Sequence, residues 1–162
     1  MAKFAAGGGD AGASPIRVFD GTLRSFAGYN MKRAFNLVQA DLARTLEPFG
    51  LRMMTFTALA LIVDNPDMSQ SQLAGALAVE RSNLVTIVDD LEKHGWITRN
   101  PAPNDRRSHA LRATPDGECL CEKAVSAVAA HEAKLLGGLQ ASEAAALIST
   151  LRKIEHSATG DA

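Results

Sequence analysis

The sequence predicts a mainly α-helical fold carrying one small β-hairpin, and three observations lead there. Apolar residues recur at helical spacing on both sides of the centre. Residues 69–94 hold two short amphipathic runs separated by a tight break. A glycine stop then introduces two β-prone runs, Trp96–Arg99 and His109–Ala113, around the turn-rich PAPNDRRS. Helix, turn, helix, strand, loop and returning strand is the order of a winged helix-turn-helix. The fold class is therefore mainly α: a winged helix-turn-helix with long N- and C-terminal helices forming a dimerisation region.

The Gly/Ala-rich residues 1–16 are expected to be disordered. From about Ile16 to Glu47, Phe35, Val38, Leu42 and Leu46 recur at spacings of three and four. One helix near thirty residues follows, long for a globular domain and suited to a partner chain; it ends at Pro48 and Gly50. Leu51–Asp64 is apolar almost all round, so its helix belongs in the centre. Ser69 or Ser71 can N-cap a short helix ending near Ala78. The next helix, about Glu80–His94, sets Leu84, Ile87, Val88 and Leu91 inward, and Gly95 stops it. Thr114 or Asp116 caps a helix from Pro115 to about Gly137, and a last helix runs from Ser142 to about Ile154. The resulting division is a disordered segment (1–16), a dimerisation helix (17–50), a winged region (51–114) and C-terminal dimerisation helices (115–156).

The chain has 162 residues, 46% hydrophobic and 22% charged, with a net charge of -1. Nucleic-acid binding therefore needs a local cationic patch, because there is no global one. The N-terminus lacks the apolar core of a signal peptide, and no window is long and apolar enough to span a bilayer. Those readings, with only two cysteines, lead to an expectation of a cytoplasmic protein without membrane attachment.

The patch lies in the hairpin. Arg99, Arg106, Arg107, Arg112 and His109 accompany a single acid, Asp105, within fourteen residues. Arg106 and Arg107 are candidates for gripping the DNA backbone or a narrow minor groove. Asp105 would brace a neighbouring arginine, since its own charge repels phosphate. On the preceding helix, Asn83 can pair with adenine and Arg81 with guanine or a phosphate, while Ser82 and Thr86 offer hydroxyls to either.

At VERSNLVTIVDDLEKHGWITRNPAPNDRRSHALRAT the chain resembles the MarR (multiple antibiotic resistance regulator) family of winged-helix transcriptional regulators. The residues that carry the resemblance are the D-x-L-E-x-x-G-x-I-x-R run at Asp89–Arg99 and the D-x-R wing signature at Asp105–Arg107. Ala113-Thr114-Pro115 with Gly117 stands for the family's usual Leu-Thr, Pro and Gly, and the resemblance covers roughly residues 20–155. It implies a homodimer on a palindromic double-stranded operator, commonly a repressor, released by a small molecule or oxidant. Ala113 replaces the usual leucine, and Thr86 stands where many relatives carry arginine.

For the signal, the first reading is a small aromatic or phenolic acid, or its CoA thioester. Tyr29, Asn30 and Arg33 supply polar handles and Met53, Met54 and Phe56 an adaptable wall. The alternative is a thiol switch at Cys119 and Cys121, which two-residue helical spacing turns apart. The four histidines are too scattered for a metal site, and no cofactor is expected. With no nucleophile, base and orienter pattern the chain reads as no enzyme. A helical protein-interaction module without DNA binding is the remaining alternative, and it has no use for an arginine-tipped hairpin.

Overall fold

The structure, a computed structural model, describes residues 19–102 and 105–159, with the backbone alone for 102, 105–108 and 158–159. In chain order these form α1 (Gly21–Arg24), α2 (Ala27–Leu46), a 3-10 turn (Glu47–Phe49), α3 (Met53–Asp64), β1 (Met68–Ser69), α4 (Gln70–Leu77), α5 (Arg81–Lys93), β2 (Ile97–Ala102), β3 (Asp105–Ala113), α6 (Pro115–Leu135) and α7 (Ala141–Thr159). Two compact units divide the chain, Met1–Ala34 and Phe35–Ala162. The expected disordered segment 1–16 lies outside the described residues.

In the first unit the expected unbroken helix is interrupted at Ser25 and Phe26. The cause is side-chain competition for backbone groups. Ser25 Oγ donates back to the Thr22 carbonyl at 2.7 Å, and Asn30 Nδ2 donates to the carbonyls of Arg24 and Phe26 at 2.8 and 2.9 Å. The uninterrupted part, α2, is 20 residues long.

In the second unit α3 is central, seated against α4, α5, α6 and β3. Its Ala58, Leu59 and Ile62 join Leu46, Leu73, Leu84, Val88, Leu91, Ile97, Leu111, Cys121 and Ala124 in one core. Thr55 is buried on the same helix, and its hydroxyl is fully used. It accepts from Arg52 N at 2.9 Å and donates to Arg52 O at 3.0 Å.

Ser69 is the cap of α4: its hydroxyl accepts from Gln72 N at 3.2 Å, and the Gln72 side chain accepts from Ser69 N at 2.8 Å. This reciprocal pair satisfies two helix-end donors. Ala78 closes α4 in the left-handed region at φ 50, a conformation that sterics disfavour for any residue with a Cβ.

The sheet is antiparallel in the order β1-β3-β2. The β2–β3 hairpin runs from Ile97 opposite Ala113 to Ala102 opposite Asp105, with a bulge at Pro101/Ala102. The third strand was not expected. Met68 and Ser69 pair with Leu111 and Ala110, so the segment that supplies the Ser69 cap also extends the sheet. No single helix among the described residues is long and apolar enough to cross a membrane.

Candidate nucleic-acid interface

The second helix of the helix-turn-helix is fixed by one face and offers the other. Leu84, Val88 and Leu91 of α5 are buried, while Arg81, Ser82, Asn83, Thr86 and Asp89 are exposed. Val85, also exposed at 47%, is an apolar member of this otherwise polar surface. Glu80 is the N-cap residue, and Ser82 stands in the first turn. Arg81 does not swing freely: its Nη2 donates to Ser71 Oγ on α4 at 3.2 Å, leaving its other N–H groups available. Asn83 and Thr86 line a groove of about 660 Å³ together with Arg52, Ile87, Asp90 and Lys93. Arg52 is an exposed cation at the start of α3 that sequence reasoning did not select.

The wing corrects one expectation. Of the cations counted as a single electrostatic foot, Arg99 and Arg112 are committed to acids within the chain. Arg99 Nη2 bonds Asp89 Oδ1, and its Nε lies 3.5 Å from Glu92 Oε2. Arg112 embraces Asp67 with two donors, Nε to Oδ1 at 3.1 Å and Nη2 to Oδ2. That guanidinium holds the Asp67 carboxyl below its ordinary range, and the carboxylate raises Arg112 in turn. Asp67 adopts φ 67 and donates its backbone N–H to the Leu111 carbonyl at 3.0 Å. His109 is exposed on β3 opposite Pro101. Arg106, Arg107 and Asp105 belong to the β3 backbone, but their side chains, and so the Asp105 brace, lie outside the described residues.

These contacts give the D-x-L-E-x-x-G-x-I-x-R run a physical meaning. Its Asp89, Glu92 and Arg99 join α5 to β2, its Leu91 and Ile97 enter the core, and its Gly95 supplies φ 73. Beside it Trp96 stacks on His94 with centroids 4.5 Å apart. Thr114 then locks the hairpin to α6. Its N–H donates to the Trp96 carbonyl at 3.0 Å, its hydroxyl donates to the Gly95 carbonyl at 2.7 Å and accepts from Gly117 N at 3.0 Å. A Cβ on Gly117 would collide with the Trp96 carbonyl oxygen.

The proposed effector handles fare unevenly. Tyr29 donates its hydroxyl to Asp20 at 2.8 Å, which lowers the Asp20 pKa and raises that of Tyr29, and Asn30 is occupied at the α1–α2 break. Arg33 is exposed. In the second unit Met53 and Phe56 are half-buried, Phe56 against the core. Cys119 is exposed and Cys121 buried. Burial, with Asp64 and Glu122 adding to it, pushes the Cys121 thiol up. Among the described residues no three His, Cys, Asp or Glu gather in a metal-binding group.

Residues 51–109 match the model of the MarR family. A putative transcriptional regulatory protein for the hcr operon of Thauera aromatica is 31% identical over 135 residues, 83% of this chain and 81% of that protein. The transcriptional repressor CouR bound to a 23-mer DNA duplex is similar in structure, with a TM-score of 0.81 and 34% identity, covering 86% of this chain and 99% of that one. CouR from Rhodococcus jostii RHA1 bound to p-coumaroyl-CoA gives 0.74 and 27%, covering 82% and 93%. The chain belongs to the MarR family of DNA-binding transcriptional regulators.

Proposed function

We propose that the protein is a homodimeric repressor of a palindromic operator, released by a small aromatic acid or its CoA thioester. The exposed polar start of α5, on a helix whose opposite face is sealed in the core, carries the DNA part of this reading. In it Arg81, Ser82, Asn83 and Thr86 read base edges or adjacent phosphates, and Arg106 and Arg107 grip the backbone from the wing, steadied by Asp105. Residues 51–114 then form the DNA-binding region, with 17–50 and 115–156 serving dimerisation, and the work is done on cytoplasmic DNA. The dimer is supported by an unburied stripe on α7, where Leu147, Ile148, Leu151 and Ile154 are each 42–43% exposed. In an electrophoretic shift assay, Arg107→Ala should weaken specific and random duplexes alike and flatten the salt dependence. Arg81→Ala or Asn83→Ala should erode sequence preference, by roughly 1–3 kcal/mol per lost base contact. Unchanged affinity and preference in these variants would remove the reading.

The effector class rests on a family neighbour seen with p-coumaroyl-CoA. Arg33 is our candidate for its anionic end, and Tyr29 and Asn30 act only if their present hydrogen bonds are exchanged. Thermal-shift screening of aromatic acids and their thioesters tests this. A hit should stabilise the protein, dissociate the operator and bind Arg33→Ala more weakly. A screen in which no such compound shifts both melting and DNA binding refutes the effector class while leaving the DNA reading standing.

A further inference from the structure

Val85 is an apolar side chain that the fold does not use. It stays 47% exposed, whereas Leu84, Val88 and Leu91 of the same helix are sealed in the core. At about 100° per residue it stands beside that core face, with Arg81 four residues before it, Ser82 three before and Thr86 next in line. Valine is β-branched and a weaker helix former than alanine or lysine, so helix stability does not account for it either. A lone exposed valine elsewhere on a protein needs no explanation. Here its neighbours are the polar residues assigned to base edges, and the acid four residues on, Asp89, is already held by Arg99.

We propose that Val85 reads sequence by packing on the C5-methyl group of a thymine in each half-site. Thymine is the base whose major-groove edge carries an apolar group, and a valine without polar atoms has no other base-specific contact to make there. The inference rests on the α5 readout proposed above and adds a base identity to it. Val85 excludes water from the methyl while its polar neighbours satisfy adjacent donors and acceptors.

The test begins with the full chain selecting its preferred duplex from a random pool. Each half-site thymine is then replaced by uracil, which removes the methyl group alone. Wild-type affinity should fall about fourfold for each methyl group lost, hence about sixteenfold when that thymine is replaced in both half-sites. Val85→Ala should bind the thymine duplex more weakly and be indifferent to uracil at that position, with thermal unfolding no lower than wild type. Equal uracil sensitivity in wild type and Val85→Ala overturns the proposal. So does a selected half-site without thymine, or one in which uracil is tolerated throughout. Failure of the underlying readout looks different, because Arg81→Ala and Asn83→Ala would then select the same duplex as wild type. A pool yielding no preferred duplex overturns both.

Discussion

Under the proposed α5 readout, Arg99 serves DNA binding without touching DNA. It neutralises Asp89 and Glu92, two acids on the helix proposed to face the duplex. An exposed pair of this kind adds little to stability, about 0–1 kcal/mol, so its larger effect is electrostatic. Arg99→Ala should weaken binding to any duplex by about tenfold at low salt, less at high salt. Adding Asp89→Ala to it should recover part of the loss in the same shift assay. The sequence made Arg99 legible as a cation but not as a neutraliser, because a strand residue and a helix residue ten positions apart meet only once the glycine between them has turned the chain. Asp67 was less legible still: its partner is Arg112, across 45 positions, and locally it reads only as a turn. The cysteines, by contrast, separate as helical spacing requires. Cys121 is buried, and burial pushes its thiol up, whereas Cys119 is exposed, so a thiol reagent should modify Cys119 well before Cys121, as peptide mass mapping can follow. Peroxide-sensitive DNA binding would favour the thiol switch over a small-molecule effector.

At the scale of elements, caps were legible because their chemistry is local. Ser69 and Thr114 each pair with a backbone group three residues ahead. The break after α1 was missed because apolar periodicity continues through it while Ser25 and Asn30 divert the backbone. β1 was missed because two residues are too few to show alternation. Two elements carry measurable consequences. Gly117→Ala forces the α6 start away from the Trp96 carbonyl, and should cost about 3 kcal/mol of unfolding free energy, read from chemical denaturation. The Asp67–Arg112 clasp ties β1 to β3, and because the folded carboxyl lies below its unfolded value, its stabilisation is present above the unfolded pKa and lost as pH falls through the folded one. Protection of the amides of Met68, Ser69 and Leu111, taken relative to their intrinsic exchange at each pH, should therefore be flat through neutral pH and fall only in strong acid. In Asp67→Asn it should be lowered across the neutral range, with no acid step of this origin.

For the whole molecule, the fold class and family were legible from the Asp89–Arg99 run and the wing spacing taken together, since those residues build the joint between helix and hairpin. The signal was not, because a binding surface for a small molecule leaves no fixed spacing in sequence. The α7 stripe gives the assembly a direct test. Leu151→Asp with Ile154→Asp, each replacing a side chain 43% exposed, should yield monomers by light scattering. Operator affinity should fall at least a hundredfold, because a lone lobe holds one half-site and loses the gain from joined binding. Dimers that persist with full affinity would move the interface elsewhere.

Thr114 joins three segments through a single residue: the turn after α5 at Gly95, the entry to β2 at Trp96 and the first turn of α6. Mechanically this is a joint without slack. A rotation of α6 strains all three hydrogen bonds and is passed to the hairpin and the end of α5. In the proposed DNA complex each lobe would then move as one lever, its α5 and its wing leaving the duplex in one step. Release would follow a single rate constant per lobe, and a wing that lets go while the helix stays bound would not be an intermediate.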